Sequence, residues 1–416
     1  MPHIIRRLCV GLLWLATPAL FAQQSFNWQQ IKDRFESGNP ALKAAEINVE
    51  ESRAQEVTAY LRPNPDATFS ADQFEPFNTN PYRPFASILS AAAFSYLHER
   101  EHKRELRLAS QQKGTTIAQS QLEDQKRLLL FNLRNAFVGV LQAKAILALA
   151  KENLAEYDHV LDINRDRRRA GDIAEVDLER LELQRVQFES DLQAADVNLR
   201  TAKIQLLALL NERTPIEQFD VVGPFDFNDQ PLVLEELRRT ALENRPDLKA
   251  AVQSVDKAQT DYKLAVSNGS TDPTFGVDFG RNPPLTNYLG FSVSIPLRIF
   301  DQNQGEKART QLDIGRNERL RDSAQAQVFS DVDSAYATLK STVALLSPYK
   351  SRYLEIATKV RATISYAFER GGASLLDFLQ AQQDYRTVQV TYLNLIGSYL
   401  TAASQLNMAV GREVIQ

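Results

Sequence analysis

A sustained heptad pattern constrains this sequence more than any other feature. The stretch from His102 to Arg169 contains no proline, and apolar residues recur in it at every seventh position. One series is Leu133, Val140, Leu147, Leu154 and Leu161, and a second lies three places later at Ala136, Ala143, Ala150 and Tyr157. This is the pattern of a coiled coil. At about 1.5 Å per residue the stretch would extend roughly 100 Å, far beyond a helix of an ordinary globular domain.

The sequence also repeats itself. NPALKAAEINVEESRAQ at residue 39 is answered by RPDLKAAVQSVDKAQ at residue 245, an offset of 206 (245 minus 39). AGDIAEVDLERLEL at 170 is answered by RGGASLLDFLQAQQ at 370, an offset of 200 (370 minus 170). The second half has its own long run, from Gln304 to Arg370, in which Pro348 should kink or break the helix. We therefore predict a mainly α-helical chain with a small β part, built from two copies of one unit.

Glycine ends each long run. Gly171 and Asp172 follow the first run, and Gly371 and Gly372 follow the second. Because glycine permits the left-handed backbone that joins antiparallel helices, each site predicts the tight turn of a helical hairpin.

Two predicted β-hairpins, at 67–96 and 274–298, lie between the short and the long helices. In GFSVSIPLRIF, apolar Phe291, Val293, Ile295 and Leu297 alternate with small or polar residues, and TFGVDFG alternates in the same way. The turns are PFNTNPYRP in the first hairpin and the segment containing Pro283 and Pro284 in the second. The pattern fits either a small sheet that caps a soluble bundle or a barrel shared among subunits.

The N-terminus predicts export. Arg6 and Arg7 precede an uncharged stretch that ends near Ala22, which is typical of a signal peptide at 1–22. Cleavage would remove the single cysteine, Cys9, so the mature chain could form neither disulfides nor thiolate metal sites. It would also leave 46 basic and 52 acidic residues, a net charge of −6 that argues against a nucleic-acid partner.

No motif for catalysis or for a cofactor stands out. The sequence has no nucleophile elbow, phosphate loop or HExxH motif. Apart from a possible i,i+4 pair of His98 and His102, the histidines show no spacing typical of metal ligands. We therefore predict a protein that is not an enzyme and that has no cofactor and no metal site.

Taken together, these features resemble the TolC family of bacterial outer-membrane efflux proteins. The resemblance is most specific in GFSVSIPLRIFDQNQGEKART at 290, AGDIAEVDLERLELQ at 170 and RGGASLLDFLQAQQDY at 370. It implies a homotrimer in which each chain gives four strands to a 12-stranded barrel in outer-membrane lipid, continued by an α-helical tunnel through the periplasm. It also implies passive conduction of substrates delivered by a periplasmic adaptor and an inner-membrane pump. The expected division is a first repeat at 23–211 with its long hairpin at 102–211, an equatorial linker at 212–245, and a second repeat at 246–416 with its long hairpin at 304–411.

The resemblance also implies two kinds of site. Gly171, Asp172, Gly371 and Gly372 would be the tips that dock the adaptor. Asp177 and Asp377, six residues beyond Gly171 and Gly371 and about two turns into the descending helices, would lie near a periplasmic gate. The family carries a second acid where this chain has Gln380. The alternative is an aspartate stabilised by a helix dipole, which we favour for Asp177, whereas we favour the gate for Asp377.

Other functions stay open at this point. A periplasmic coiled-coil adaptor, or a structural protein of an export system, also combines a signal peptide with long helical hairpins, although an adaptor needs more strand-like sequence. For an efflux channel, the cargo could be drugs, heavy-metal cations or proteins. The absence of Met-rich and His-rich tracts argues weakly against metal cations.

Overall fold

A computed structural model describes residues 24–74, 76–77, 81, 83–85, 87–282 and 287–415. The predicted signal peptide at 1–22, parts of the first hairpin turn, and Pro283 and Pro284 of the second turn lie outside the described residues.

The order of elements in the first half recurs in the second. The first half contains β1 (Gln24–Phe26), α1 (Trp28–Gly38), α2 (Pro40–Tyr60), β2 (Asp66–Asp72), β3 (Leu89–Leu97), α3 (Lys103–Ala170) and α4 (Glu175–Leu210). The second contains β4 (Phe219–Val221), α5 (Leu234–Asn244), α6 (Pro246–Asn268), β5 (Thr274–Arg281), β6 (Tyr288–Ser294), α7 (Gln304–Pro348), α8 (Leu354–Glu369) and α9 (Leu375–Val410). The mainly α-helical, duplicated fold predicted from the sequence is therefore present.

Segments between the predicted elements hold structure that the sequence patterns missed. The four predicted strands form one antiparallel sheet in the order β2-β3-β5-β6, but β1 and β4 form a separate parallel pair. The predicted linker 212–245 contains both β4 and α5. Three-residue strands are too short to show alternation, which explains why they were overlooked. The last strand ends at Ser294 and not at 298, because Pro296 has no N–H to donate to a neighbouring strand.

Pro348 breaks the long helix of the second repeat as predicted, and the break is a single π-helical turn at Tyr349–Tyr353. Proline removes one helical hydrogen bond and crowds the carbonyl one turn earlier. Lys350 in this turn donates a hydrogen bond of 3.0 Å to the carbonyl oxygen of Phe227.

The π-turn also changes the register between the repeats. The buried seam of α3, at Leu133, Val140 and Leu147, matches the buried seam of α7, at Val332, Leu339 and Leu346, with an offset of 199 (332 minus 133). Beyond the turn, Gly171 matches Gly371 with an offset of 200. The π-turn therefore accommodates one additional residue in the second repeat.

Equivalent contacts close each repeat where its short and long helices meet. Asn39, which caps α2, donates a hydrogen bond of 2.9 Å to the carbonyl oxygen of Leu209 near the end of α4. Arg245, which precedes α6, donates one of 3.4 Å to the carbonyl oxygen of Ala409 near the end of α9. Arg245 also pairs with Asp331 of α7 at 2.7 Å, and its side chain is only 3% exposed. One apolar core surrounds each of these junctions.

Candidate docking tips and channel constriction

The two tips have the same backbone geometry. Gly171 has φ +87° and Gly371 has φ +74°, so both adopt the left-handed conformation that the sequence predicted. The amide of Asp172 donates to the carbonyl oxygen of Arg167 at 2.9 Å, and the amide of Gly372 donates to that of Ala367 at 2.8 Å. These bonds satisfy carbonyl groups at the ends of α3 and α8.

Both left-handed glycines face open space. No atom lies within 4 Å of the position that a Cβ would take at Gly171 or at Gly371. Gly372 has no left-handed φ, and its nearest neighbour, the carbonyl oxygen of Ala367, would lie 3.5 Å from a Cβ. Backbone conformation, and not packing within the chain, therefore requires glycine at 171 and 371.

Contacts across the repeats hold the two tips side by side. The guanidinium of Arg167, in α3, donates a hydrogen bond of 3.4 Å to the carbonyl oxygen of Phe368 and lies 5.5 Å from the centre of its ring. Phe368 stacks on Phe378 of α9 at 4.8 Å. Leu161, Leu181 and Phe378 belong to one small apolar core just above the tips.

Asp177 and Asp377 lie in the first turn of α4 and α9, not two turns in as predicted. The reason is that each turn takes up more residues than expected, so that the helices begin only at Glu175 and Leu375. Both aspartates are therefore at the third position of a helix, where a carboxylate interacts favourably with the dipole.

The two aspartates differ in what they contact. Asp377 forms a capping box with Ser374: its amide donates to the Ser374 hydroxyl at 3.1 Å, and that hydroxyl donates to its carboxylate at 2.7 Å. These hydrogen bonds from the side chain and backbone of Ser374 lower the pKa of Asp377. Asp177 has Ala174 in the place of Ser374 and forms no capping box, and its carboxylate lies 3.7 Å from Arg180.

The sequence signal for the capping box is Ser374-Leu-Leu-Asp377, which the sequence interpretation missed. It gives the carboxylate of Asp377 a structural role within its own chain. The gate role of both residues stays a prediction.

The possible histidine pair does not form on a helix face. His98 directly follows β3, and its ring lies 6.5 Å from that of Phe275. His102 precedes α3 with a left-handed φ of 55°. Within the described ranges, no group of three or more His, Cys, Asp or Glu side chains is arranged to hold a metal ion.

Very long paired helices that end in tight turns, with one small antiparallel sheet at their other end, define a class of protein: an outer-membrane channel with a helical tunnel. The sequence matches the outer membrane efflux protein family over residues 237–412.

Relatives and solved structures agree with this assignment. The chain is 26% identical to the cobalt-zinc-cadmium resistance protein CzcC of Cupriavidus metallidurans over 315 residues, and this alignment covers 74% of each protein. It is 21% identical over 415 residues to the outer membrane protein TolC of Escherichia coli, covering 93% of this chain and 83% of TolC. The crystal structure of CusC superposes with a TM-score of 0.77 at 17% identity and covers 94% of this chain and 95% of CusC.

Proposed function

We propose that three copies of this chain form the outer-membrane channel of a tripartite efflux system. In this proposal the sheets join into a 12-stranded barrel, the helices line a periplasmic tunnel, and the channel passively conducts substrates from an inner-membrane pump through a periplasmic adaptor.

The sheet supports the barrel because one of its faces suits lipid. Its register aligns Phe94 of β3 with Val277 of β5 and Phe291 of β6. Phe69 and Phe291 are each 78% exposed. The same face includes Ala67, Ala92, Phe275, Phe279, Leu289 and Val293. The strands β2 and β6 are the two edges of the sheet. An apolar face in lipid requires that such edges be paired, as they would be in a closed barrel.

The observation that carries the proposal is a helix face that is covered in the second repeat, whereas the equivalent face in the first repeat is apolar and exposed. On α9, Ser404 is buried, and a Cβ at Gly397 would meet the side chain of Gln142 in α3. The equivalent residues of α4 are Val197 and Ile204, which are 58% and 55% exposed. Val176, Leu183 and Val186 extend this bare face toward the tip.

The covering helix for α4 would come from a neighbouring copy. Within one chain, α3 of the first repeat lies against α9 of the second. By the same relation, α7 of a second chain would lie against α4, and a ring closes when this contact repeats. Proteins of the TolC type close it with three copies.

The tips would dock the adaptor, since Gly171 and Gly371 face open space and lie at the far end from the sheet. Asp177 and Asp377 would lie near the constriction. Substrate selection would rest with the pump, because relatives of this chain have names as different as cobalt-zinc-cadmium resistance and pyoverdine export.

The mass of the detergent-solubilised protein tests the assembly. The parent protein should have the mass of a trimer, whereas Val197→Glu should shift it toward the monomer because the new carboxylate would be buried against the neighbouring α7. Asn198→Glu is the matched control, since Asn198 is exposed on the flank of α4. A parent monomer, or equal trimer content in both variants, would contradict the proposal.

A further inference from the structure

A cavity of about 310 Å³ lies between α1, α3 and the end of α9. This volume is in the range of small-ligand sites. Its lining is strongly basic, with five cationic side chains and two acidic ones. The cationic residues are Lys32, Lys126, Arg127, Arg134 and Arg412, and the acidic ones are Glu123 and Glu413.

Two of these cationic side chains form ion pairs within the chain. Lys126 pairs with Glu36 at 3.2 Å, and Arg127 pairs with Asp124 at 2.6 Å. In contrast, no carboxylate in the described part of the chain lies within 4.0 Å of Lys32 or Arg134. The guanidinium of Arg134 instead lies 4.5 Å from the centre of the Trp28 ring. Burial lowers the pKa of Arg134, and the charge of Glu413 offsets only part of this effect.

The second repeat has a carboxylate where the first repeat has Arg134. Lys32 in α1 corresponds to Arg238 in α5, by the offset of 206, and Arg134 in α3 corresponds to Asp333 in α7, by the offset of 199. Arg238 donates two hydrogen bonds to Asp333, at 2.8 and 2.6 Å. The first repeat therefore directs two cations into a cavity where the second repeat has an ion pair.

Like charges that share a partly buried cavity destabilise it unless an anion lies between them. The end of α9 of the same chain lines one side of the cavity with Ser404, Asn407 and Met408, none of which carries a charge. An oxyanion is suitable, since the planar guanidinium group of arginine can donate two parallel hydrogen bonds to a carboxylate or a phosphate.

We propose that the cavity between Trp28, Lys32 and Arg134 binds a small oxyanion ligand, a carboxylate or a phosphate. The bound anion takes the place that the Asp333 carboxylate occupies in the second repeat. The cavity is roughly 55 Å from the tip, at 1.5 Å per residue along α3. Binding there is separate from adaptor docking and does not depend on the proposed function.

Trp28 provides a direct reporter of binding. The sequence contains two tryptophans, and the other, Trp14, lies in the predicted signal peptide. Purified protein in detergent is titrated with inorganic phosphate in one experiment and with glutarate in another, at constant ionic strength set with chloride. We expect a saturable change in Trp28 fluorescence with at least one probe, and the probe that binds identifies the anion class. Trp28→Phe should abolish the fluorescence change.

Three variants separate a specific site from a general salt effect. Arg134→Asp restores the ion pair of the second repeat, so it should fold at least as well as the parent while its dissociation constant rises at least tenfold. Lys32→Gln should also weaken binding. Arg319→Gln, at a cation with an 88% exposed side chain, should bind as the parent does. No saturable change with either probe, or unchanged affinity in both Arg134→Asp and Lys32→Gln, would overturn the proposal.

Discussion

Replacing Arg245 should destabilise the junction of the second repeat more than replacing any exposed arginine. Arg245 pairs with Asp247 and Asp331, and its side chain is 3% exposed. Arg245→Met keeps much of the volume but leaves both carboxylates and the carbonyl oxygen of Ala409 without this donor. Removing one partner of a buried ion pair costs about 3–5 kcal/mol. Because the side chains of Asp247 and Asp331 are 29% and 31% exposed and can regain water, we expect the lower end, about 3 kcal/mol.

Thermal unfolding in detergent can measure this loss. An unfolding entropy of about 2.1 cal/mol/K per residue gives roughly 0.8 kcal/mol/K for a chain of this length, so the melting temperature should fall by roughly 4 °C. Arg309→Met is the control: Arg309 and its partner Glu306 have side chains that are 61% and 54% exposed, and such pairs contribute at most about 1 kcal/mol.

A second variant tests the cause. Adding Asp247→Asn and Asp331→Asn to Arg245→Met removes the unpaired charges and should recover part of the lost stability. If Arg245→Met melts within 1 °C of the parent, or if the triple variant is no more stable than the single one, then the buried ion pair is not what stabilises this junction.

Three other predictions follow from the geometry of the tips and of this junction. Gly371→Val forces a β-branched residue into a left-handed backbone, and it should reduce efflux while the trimer persists. Gly372→Ala should retain efflux, because a Cβ at this position has room. Equal resistance in cells that carry either variant would contradict this prediction. Ser374→Ala removes the capping box, so it should raise the pKa of Asp377 and speed hydrogen exchange of the backbone amides at residues 375–378. Unchanged exchange at these amides would argue against the cap. Burial alone would raise the pKa of Asp247, but its hydrogen bonds with Arg245 and the positive charges of Arg245 and Arg127 together outweigh burial and lower it. The contribution of Asp247 to stability is therefore complete above about pH 4 and is lost as the pH falls below that value. Acid titration of the melting temperature should therefore show a shallower decline below pH 4 for Asp247→Asn than for the parent, and equal slopes would contradict the assignment.

Local patterns in the sequence predicted most of the fold. The seam through Leu133 and Val140 is a heptad pattern that a single helix displays by itself, and Gly171 and Gly371 mark turns because few other residues adopt their backbone conformation. The strand pair β1 and β4 could not be predicted, because three residues carry no periodic signal and their pairing depends on segments far apart in the chain.

The candidate sites were predicted less completely than the fold. The tip turns were correct in position and backbone conformation. The interpretation of Asp377 missed its nearby partner Ser374, although the two residues are only three positions apart. No sequence pattern predicts the cavity between Trp28, Lys32 and Arg134, because Trp28 and Arg134 meet only when α1 packs against α3. The significance of Arg134 becomes clear only when it is compared with Asp333 at the equivalent position of the second repeat.

The order of strands in the sheet has a consequence for biogenesis. Its central pairing joins β3 to β5, and these strands come from different halves of the chain, with the whole first helical hairpin between them. Helical hairpins are rich in local contacts and close quickly, but a pairing between distant segments is slow and must wait until both have crossed the inner membrane. The hairpin of β2 and β3 therefore spends the interval with the other edge of β3 unpaired, and folding of the sheet should be the slow, aggregation-prone step that sets the yield of channels.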